Sequence, residues 1–428
     1  MEDLSNDLLI ETWSRLPWKM AARCKSISKR FSALFSQRDF IERSIVHHHT
    51  LFENMNEEEH EKQYHLNRVA RRVLMLTFCP TLHLCNPQNQ NQNQLSLSFM
   101  GLEFDQELTD PFGPYACIVG FSNGLLLCKR SKLERDYFVC NPVTKEWVQL
   151  PPLPPLPQHG ETRRACEGFV CEPYYSVEEN RVSFNRHRFR AVLLVSPPNF
   201  DVTMTKVKFG AAIFSSETWE WKTKLVSWDE RFAPVLYGDV GVEYEGRLFF
   251  REKLSLVVYD PFVEDDVCYP IRYPSGLLAR RGFAIRRGIH VGVSCGALRI
   301  FHGFFVGFGP AGCAGVVLTL WELEEECGWR LLYDTYLPLK EYDGPIPIGG
   351  FYFANVDYPI TVLAFHPHHG DVVFFPYIDQ VYVFNFKTDT FGPSGYRVDQ
   401  FPVPFEIISF PLPFCPTPLP SMPFNHIH

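Results

Sequence analysis

The chain has 428 residues, 46% hydrophobic and 21% charged, with a formal net charge of −8. That length suits one or two substantial domains plus a small module. The composition excludes a disordered chain, and no stretch approaches the run of about 18 apolar residues that spans a bilayer.

The N-terminus carries Glu2 and Asp3 without an apolar run, so no signal peptide is expected. Its 13 Cys are scattered and never form Cys-x-x-Cys, which argues against a disulfide framework or a zinc site. Reduced thiols in the cytosol or nucleus are expected. The 38 Phe and 34 Pro predict many short strands joined by turns.

The first element runs from Leu4 to Ile41. Leu9, Thr12, Trp13 and Leu16 follow i, i+3, i+4, i+7 and share one helical face. Ser5 is a good N-cap, Asp7 suits the first turn, and Pro17 stops the helix. A second stripe places Met20, Cys24, Ile27, Phe31 and Leu34 at steps of four and three. Two or three short helices cannot bury both stripes, so a partner is expected to cover part of them. Residues 1–46 hold eight Lys/Arg against six Asp/Glu, while the rest of the chain is acidic, which argues against nucleic acid as the main partner.

This segment resembles an F-box. It matches the family pattern at Leu4, Asp7, Leu8, Leu9, Glu11, Arg15, Leu16, Pro17, Lys19, Arg23, Cys24, Ser28, Lys29 and Arg30. It departs at Ser5, Thr12, Ala21 and Phe31, where Pro, Ile or Val, Leu and Trp are usual. The resemblance implies docking on the Skp-type adaptor of a cullin–RING ubiquitin ligase. The residues implied for docking are Leu4, Leu8, Leu9, Glu11, Trp13, Leu16, Pro17, Arg23, Cys24, Ile27, Ser28 and Phe31.

From His47 to about Asn67 the pattern dissolves and reads as a connector. Strand-like runs follow at Val73–Phe78 and Leu95–Phe104, separated by the low-complexity tract 86–94, expected as an exposed loop. From about Cys117 a unit recurs. One half is a Gly followed by an apolar strand: GLLLC from Gly124, GRLFF from Gly246, GALRI from Gly296, GDVVFF from Gly370. The other half is a strand, a polar turn and often a Trp, its turn residues aligning as Asn141, Ser215, Asp260, Glu322 and Asn385 at gaps of 74, 45, 62 and 63. Gly opens hairpins where φ > 0 or close packing is needed, and Asn-Pro or Asp-Pro initiates turns. Units of this size with four short strands are propeller blades. Five are visible, and the strands at 70–110 make a sixth.

These units resemble the plant F-box-associated domain, related to kelch propellers, through 120–151, 258–266, 318–329 and 364–375. The double glycine of kelch blades is absent. The expected architecture is therefore mainly β: a helical F-box (1–46), a linker (47–69), a propeller of about six four-stranded blades (70–411) and a Pro-rich tail (412–428). Phe405–Phe410 is expected to close the ring.

Several motifs suggest chemistry and fail on context. Gly120-Phe-Ser122-Asn-Gly124 fits G-x-S-x-G, but a strand-like run follows where a nucleophile elbow needs a helix. Gly307-Phe-Gly309-Pro-Ala-Gly312 precedes an alternating β-branched run, so it reads as a loop. His366-Pro-His368-His369 and His47–His49 lack further ligands at metal spacing. PPLPPLP at 151–157 reads as a stiff linker between blades. Arg280, Arg281, Arg286 and Arg287 form a basic cluster that could meet an acidic target. Long insertions at 152–188, 264–287 and 302–316 are expected to carry the target surface.

The resemblance thus implies a non-catalytic substrate receptor without cofactor or metal. It docks the adaptor, and through it cullin and RING subunits, and holds an unidentified target protein. Neither nucleic acid nor membrane is a partner, and the location is cytoplasmic or nuclear. The alternatives are an adaptor-binding scaffold that delivers no substrate, or a propeller enzyme with convergent groups at its channel.

Overall fold

The computed structural model describes residues 5–16, 24, 28–35, 37–53, 73–76, 81–85, 93–96, 117–129, 136–142, 146–155, 165–172, 175–176, 181–182, 188–195, 208–228, 240–252, 254–279, 289–306, 315–324, 328–338, 364–366, 369–377, 380–397 and 419.

Among the described residues three helices with defined bounds come first: α1 (Asn6–Trp13), α2 (Lys29–Phe35) and α3 (Arg38–Glu53). Ser5 caps α1, its Oγ accepting from Leu8 N, and Ser28 caps α2, accepting from Phe31 N at 3.2 Å. Helix α3 runs through the boundary expected at residue 46 and ends at Glu53, so a cut there would divide it.

The rest is β-structure. A three-stranded antiparallel sheet (Val73–Leu76, Thr81–Cys85, Asn93–Ser96) precedes the repeats. Thr81–Cys85 was not expected as a strand, and Asn93 and Gln94, expected in the loop, begin the third one.

Each of the five expected units is a four-stranded antiparallel blade. Blade I comprises Cys117–Ser122, Leu125–Lys129, Tyr137–Asn141 and Glu146–Gln149. Blade II comprises Ala165–Cys171, Phe189–Val195, Lys208–Ser215 and Glu220–Trp228, and blade III Val242–Tyr244, Arg247–Arg251, Ser255–Tyr259 and Val267–Arg272. Blade IV comprises Ile289–Ser294, Ala297–Val306, Gly315–Leu323 and Trp329–Pro338. Blade V comprises Ala364–Phe365, Val372–Tyr377, Gln380–Asn385 and Thr390–Arg397.

The expected turn chemistry appears at the hairpins. Asn123-Gly124, Glu245-Gly246 and Cys295-Gly296 have φ of 46 and 83°, 51 and 76°, and 52 and 73°. Positive φ at both central residues is the type I′ turn that matches strand twist, and it joins the first two strands of blades I, III and IV. Gly370 differs: a Cβ there would meet the guanidinium end of the Arg299 side chain. Between third and fourth strands, Asp260 Oδ1 accepts from Phe262 N at 2.9 Å. Asn385 Oδ1 likewise accepts from Lys387 N at 2.9 Å and Thr388 N at 3.2 Å. Replacing Asn385 by Ala strips two backbone donors of their acceptor and should cost about 1 kcal/mol, measured by denaturant unfolding.

Phenylalanine fills the wedges between blades. Blades I and II bury Val119, Leu125, Phe169, Phe189, Phe214 and Trp219 together. Blades II and III share Phe209, Trp228, Leu248, Phe250 and Tyr259, and blades III and IV share Phe249, Val258, Ile271, Ile289 and Ile300. Blades IV and V enclose Phe301, Phe365, Phe375, Phe384 and Phe386. Each blade thus shares a core with the next, the packing of a propeller ring.

One joint departs from simple repetition. The outer strands of blades II and III pair in parallel, Ser227 with Val267 and Trp228 with Cys268, making one eight-stranded sheet. An ion pair between Lys224 and Asp266 and a 2.7 Å bond from Ser227 N to Asp266 O hold that seam. Two edges that would otherwise stay open are covered.

The three long insertions are partly blade strands: Ala165–Cys171, Val267–Arg272 and parts of blade IV fall inside them, and Ser275–Ala279 is a short helix. They are therefore not free target-binding loops throughout. Phe405–Phe410 lies outside the described residues. Leu419, in the stretch expected as a tail, is half-buried against the blade I–II core, as are Leu153 and Trp221.

Candidate functional site

Two surfaces could carry function. In the first, the helices enclose a small core of Leu9, Ile10, Leu34, Phe35 and Phe40. Trp13 stacks on Phe31 at 4.8 Å and on Phe35 at 5.2 Å, and Phe40 meets Phe35 edge-on at 4.6 Å. Asn6 Oδ1 accepts from Arg30 Nη2 at 2.9 Å and ties α2 to the start of α1. Glu11 is paired with Arg15 at 2.7 Å and Arg43 at 3.2 Å. These hydrogen bonds, Arg15's foremost, hold its carboxyl below the usual range.

The expected docking residues separate by exposure. Leu8, Glu11 and Ser28 are exposed, while Trp13, Leu16, Cys24 and Phe31 are half-buried. Leu9 is a correction: at 3% exposure it belongs to the core and presents nothing to a partner. The buried face of α1 is Leu9, Ile10 and Trp13, whereas Thr12, expected in the stripe, is exposed. Helix α3 explains the shift, since its Phe40 and Ile41 cover a face that two helices would leave open. Leu8, 56% exposed, is the apolar side chain of α1 left facing outward. Leu4, Pro17, Arg23 and Ile27 lie outside the described residues, as do Arg280, Arg281, Arg286 and Arg287.

The second surface is the end of the propeller where the type I′ turns converge. The G-x-S-x-G of blade I resolves there into three structural duties. A Cβ on Gly120 would collide with Phe169 of blade II, including its backbone N at 2.9 Å. Ser122 Oγ accepts from Cys171 N of blade II at 3.0 Å, and Gly124 completes the turn. Asn123 Nδ2 donates to Cys171 O.

Blade IV repeats the pattern as Gly292-Val-Ser294-Cys-Gly296, which the sequence reading did not single out. A Cβ on Gly292 would meet the Phe365 ring of blade V at 2.5 Å, and Ser294 donates to His366 O of that blade. The recurrence of the five-residue pattern was the available signal: a nucleophile elbow occurs once, a seam between blades occurs in many.

Charged groups reinforce the junction of blades I, II and III. Lys129, 7% exposed, donates to both carboxylate oxygens of Glu167 at 2.8 and 2.9 Å, and Tyr137 OH adds a bond of 2.6 Å. The Glu167 carbonyl accepts from Gly241 N at 2.7 Å. Glu172 is paired with Arg188 at 2.8 Å, and Arg188 and Arg190 lie over the Phe262 ring at 4.8 and 5.0 Å. The cysteines among the described residues are free thiols, and burial pushes those of Cys171 and Cys268 up, away from the nucleophilic form. No group of three or more metal-ligating side chains occurs among the described residues.

A family model described as "F-box protein At3g26010-like, beta-propeller" matches residues 95–392. "F-box protein At2g15640" from Arabidopsis thaliana is 29% identical over 163 residues, 35% of this chain and 34% of that protein. The chain thus aligns with about a third of that relative's length.

Among solved structures, oligogalacturonate lyase from Vibrio parahaemolyticus aligns at 10% identity and a TM-score of 0.34, covering 76% of this chain and 79% of that one. YCF48 bound to D1 peptide aligns at 9% and 0.33, covering 75% and 82%. Scores of this size carry no inference about function. The family match runs from the end of the strand Asn93–Ser96 through blades I to IV and into the last strand of blade V, where the turn glycines, the Asx turns and the Phe-filled wedges lie. On that ground the chain belongs to the F-box protein At3g26010-like β-propeller family.

Proposed function

We propose that this chain is a substrate receptor of a Skp–cullin–F-box ubiquitin ligase. The observation that supports the reading is an F-box-like segment, whose described helices pack on one another with an outward Leu8, placed ahead of a propeller in an F-box family chain. The helices dock the Skp-type adaptor, which brings the cullin and RING subunits. The propeller holds the target protein with its rim.

The chain's contribution is proximity and not chemistry of its own. Holding target and conjugating enzyme in one assembly turns ubiquitin transfer into an effectively intramolecular step. No cofactor enters this scheme. The assembly works in the cytoplasm or nucleus, and no described helix is long and apolar enough to cross a membrane.

Co-purification tests the reading. The full chain, expressed with a Skp-type adaptor, is expected to form a stoichiometric complex on size exclusion. A chain beginning at residue 54, after α3, is expected to elute alone with an unchanged β-rich circular dichroism spectrum. A full chain that fails to retain the adaptor would remove the receptor assignment.

A further inference from the structure

Blades I, III and IV join their first and second strands by two-residue turns, but blade II does not. Between Glu172 and Arg188 its chain runs on as a hairpin finger, in which Tyr175–Ser176 pairs antiparallel with Arg181–Val182. The ladder of the blade continues into the finger. Beyond the last strand pair, Cys171 with Phe189, Glu172 N donates to Arg188 O at 2.9 Å. The finger therefore leaves the ring as an extension of a sheet.

On the far side it meets the chain's own helices, where Arg181–Val182 lies against α3. The finger belongs to the insertion 152–188, expected from the sequence to face a target. Part of that insertion is instead turned toward the F-box-like module.

The root of the finger is tied to two blades. Arg188 and Glu172 stand opposite each other on its two strands, and hydrogen bonds of 2.8 and 2.9 Å make them a bidentate pair across the base. Arg188 also reaches Glu217, in the outer turn of blade II, at 3.5 Å, and Arg190 donates to the same carboxylate at 2.5 Å. Both guanidinium groups lie over the Phe262 ring of blade III, at 4.8 and 5.0 Å. Bending the finger at its base would disturb these ion pairs and ring contacts together.

Stiffness at that point matters because of what the finger touches. Residues 54–72 separate α3 from the first strand at Val73, and a free connector of that length has an end-to-end distance of about 25 Å. A connector alone would leave the direction of the helices relative to the ring open. A second contact, made by a stiff element from the ring, closes that freedom.

We propose that the finger of blade II, residues 173–187, is a strut that holds the helical module at a fixed orientation to the propeller. Where the receptor reading holds, the strut also fixes the distance between an adaptor on the helices and a target on the ring, raising the effective concentration of one at the other. The strut itself is a property of the free chain. Its test therefore needs neither adaptor nor target, and its failure leaves adaptor binding untouched.

Spin labels carried by encoded non-natural residues at exposed Gln37 and Glu220 report the distance between the module and blade II. In the full parent chain, double electron–electron resonance is expected to give one narrow distance distribution. Replacing residues 173–187 by Asn-Gly builds the kind of turn that blades I, III and IV already use, with Glu172 and Arg188 as its closing pair. That chain is expected to keep the parent's circular dichroism spectrum and its Tm within about 3 °C, while the distribution broadens at least two-fold. A chain with both Arg181→Pro and Val182→Pro leaves the blades alone and removes the ladder donor of the finger, since one of two adjacent strand residues must supply it. It is expected to broaden the distribution likewise, and it decides the matter if the shortened chain does not fold. A parent distribution already as broad as the variants', or one that stays narrow in the variants that fold, overturns the strut.

Discussion

A Gly120→Ala chain is expected to lose about 3 kcal/mol or more of stability, although the change adds a single methyl group. The added Cβ would fall on Phe169, meeting its Cβ, its backbone N and its Cα. Backbone cannot rotate away as a side-chain end can, so the inner strands of blades I and II would have to part. The core of Phe169, Phe189 and Phe214 would open with them. Two related variants calibrate the effect. Gly292→Ala meets the ring of Phe365, which can shift, and should cost less. Gly246→Ala has open space around it and meets only the left-handed backbone penalty at φ 76°, about 1 kcal/mol. Urea unfolding of the three chains should rank them 120, 292, 246. A Gly120→Ala chain no less stable than the Gly246 variant would show that the blades do not approach as closely as described.

Leu8→Asp should have the largest effect on binding and almost none on folding. Leu8 is mostly exposed while its neighbours Leu9 and Ile10 form the helical core, so the substitution leaves that core intact. In a docked complex the same position would bury a carboxylate against an apolar surface, losing the transfer energy of Leu and adding a desolvation cost. A loss of about 100-fold or more in adaptor affinity is expected, read by calorimetry or pull-down, with the unfolding midpoint unchanged. Leu9→Asp is the contrasting change: it should unfold the helical module, so its loss of binding would say nothing about contact. Undiminished binding by the Leu8 variant would move the docking face elsewhere on the helices.

The sequence by itself determined the local rules. Asn-Gly, Glu-Gly and Cys-Gly turns, Asx residues at strand ends and apolar runs of five or six residues act within a few positions of chain. They marked five blades and placed Gly124, Gly246, Gly296 and Asn385 in their working turns. The helical stripes were legible for the same reason, since periodicity is a property of neighbours.

What depended on distant chain was decided only in the tertiary structure. Thr12, expected beside Leu9 on the apolar stripe, is exposed, because Phe40 and Ile41 of α3 pack against Leu9, Ile10 and Trp13 instead. Gly120 and Gly292 read as parts of a hydrolase-like pattern, or as nothing, until Phe169 and Phe365 of the next blades were seen against them. The parallel seam between blades II and III joins strands some 40 residues apart, and no local pattern encodes it. Glu243 carries no motif at all. Its partial burial and its reach to Ser122 past an intervening blade arise because the inner strands of successive blades crowd toward one axis, where a side chain's neighbours come from other blades rather than from its own stretch of sequence.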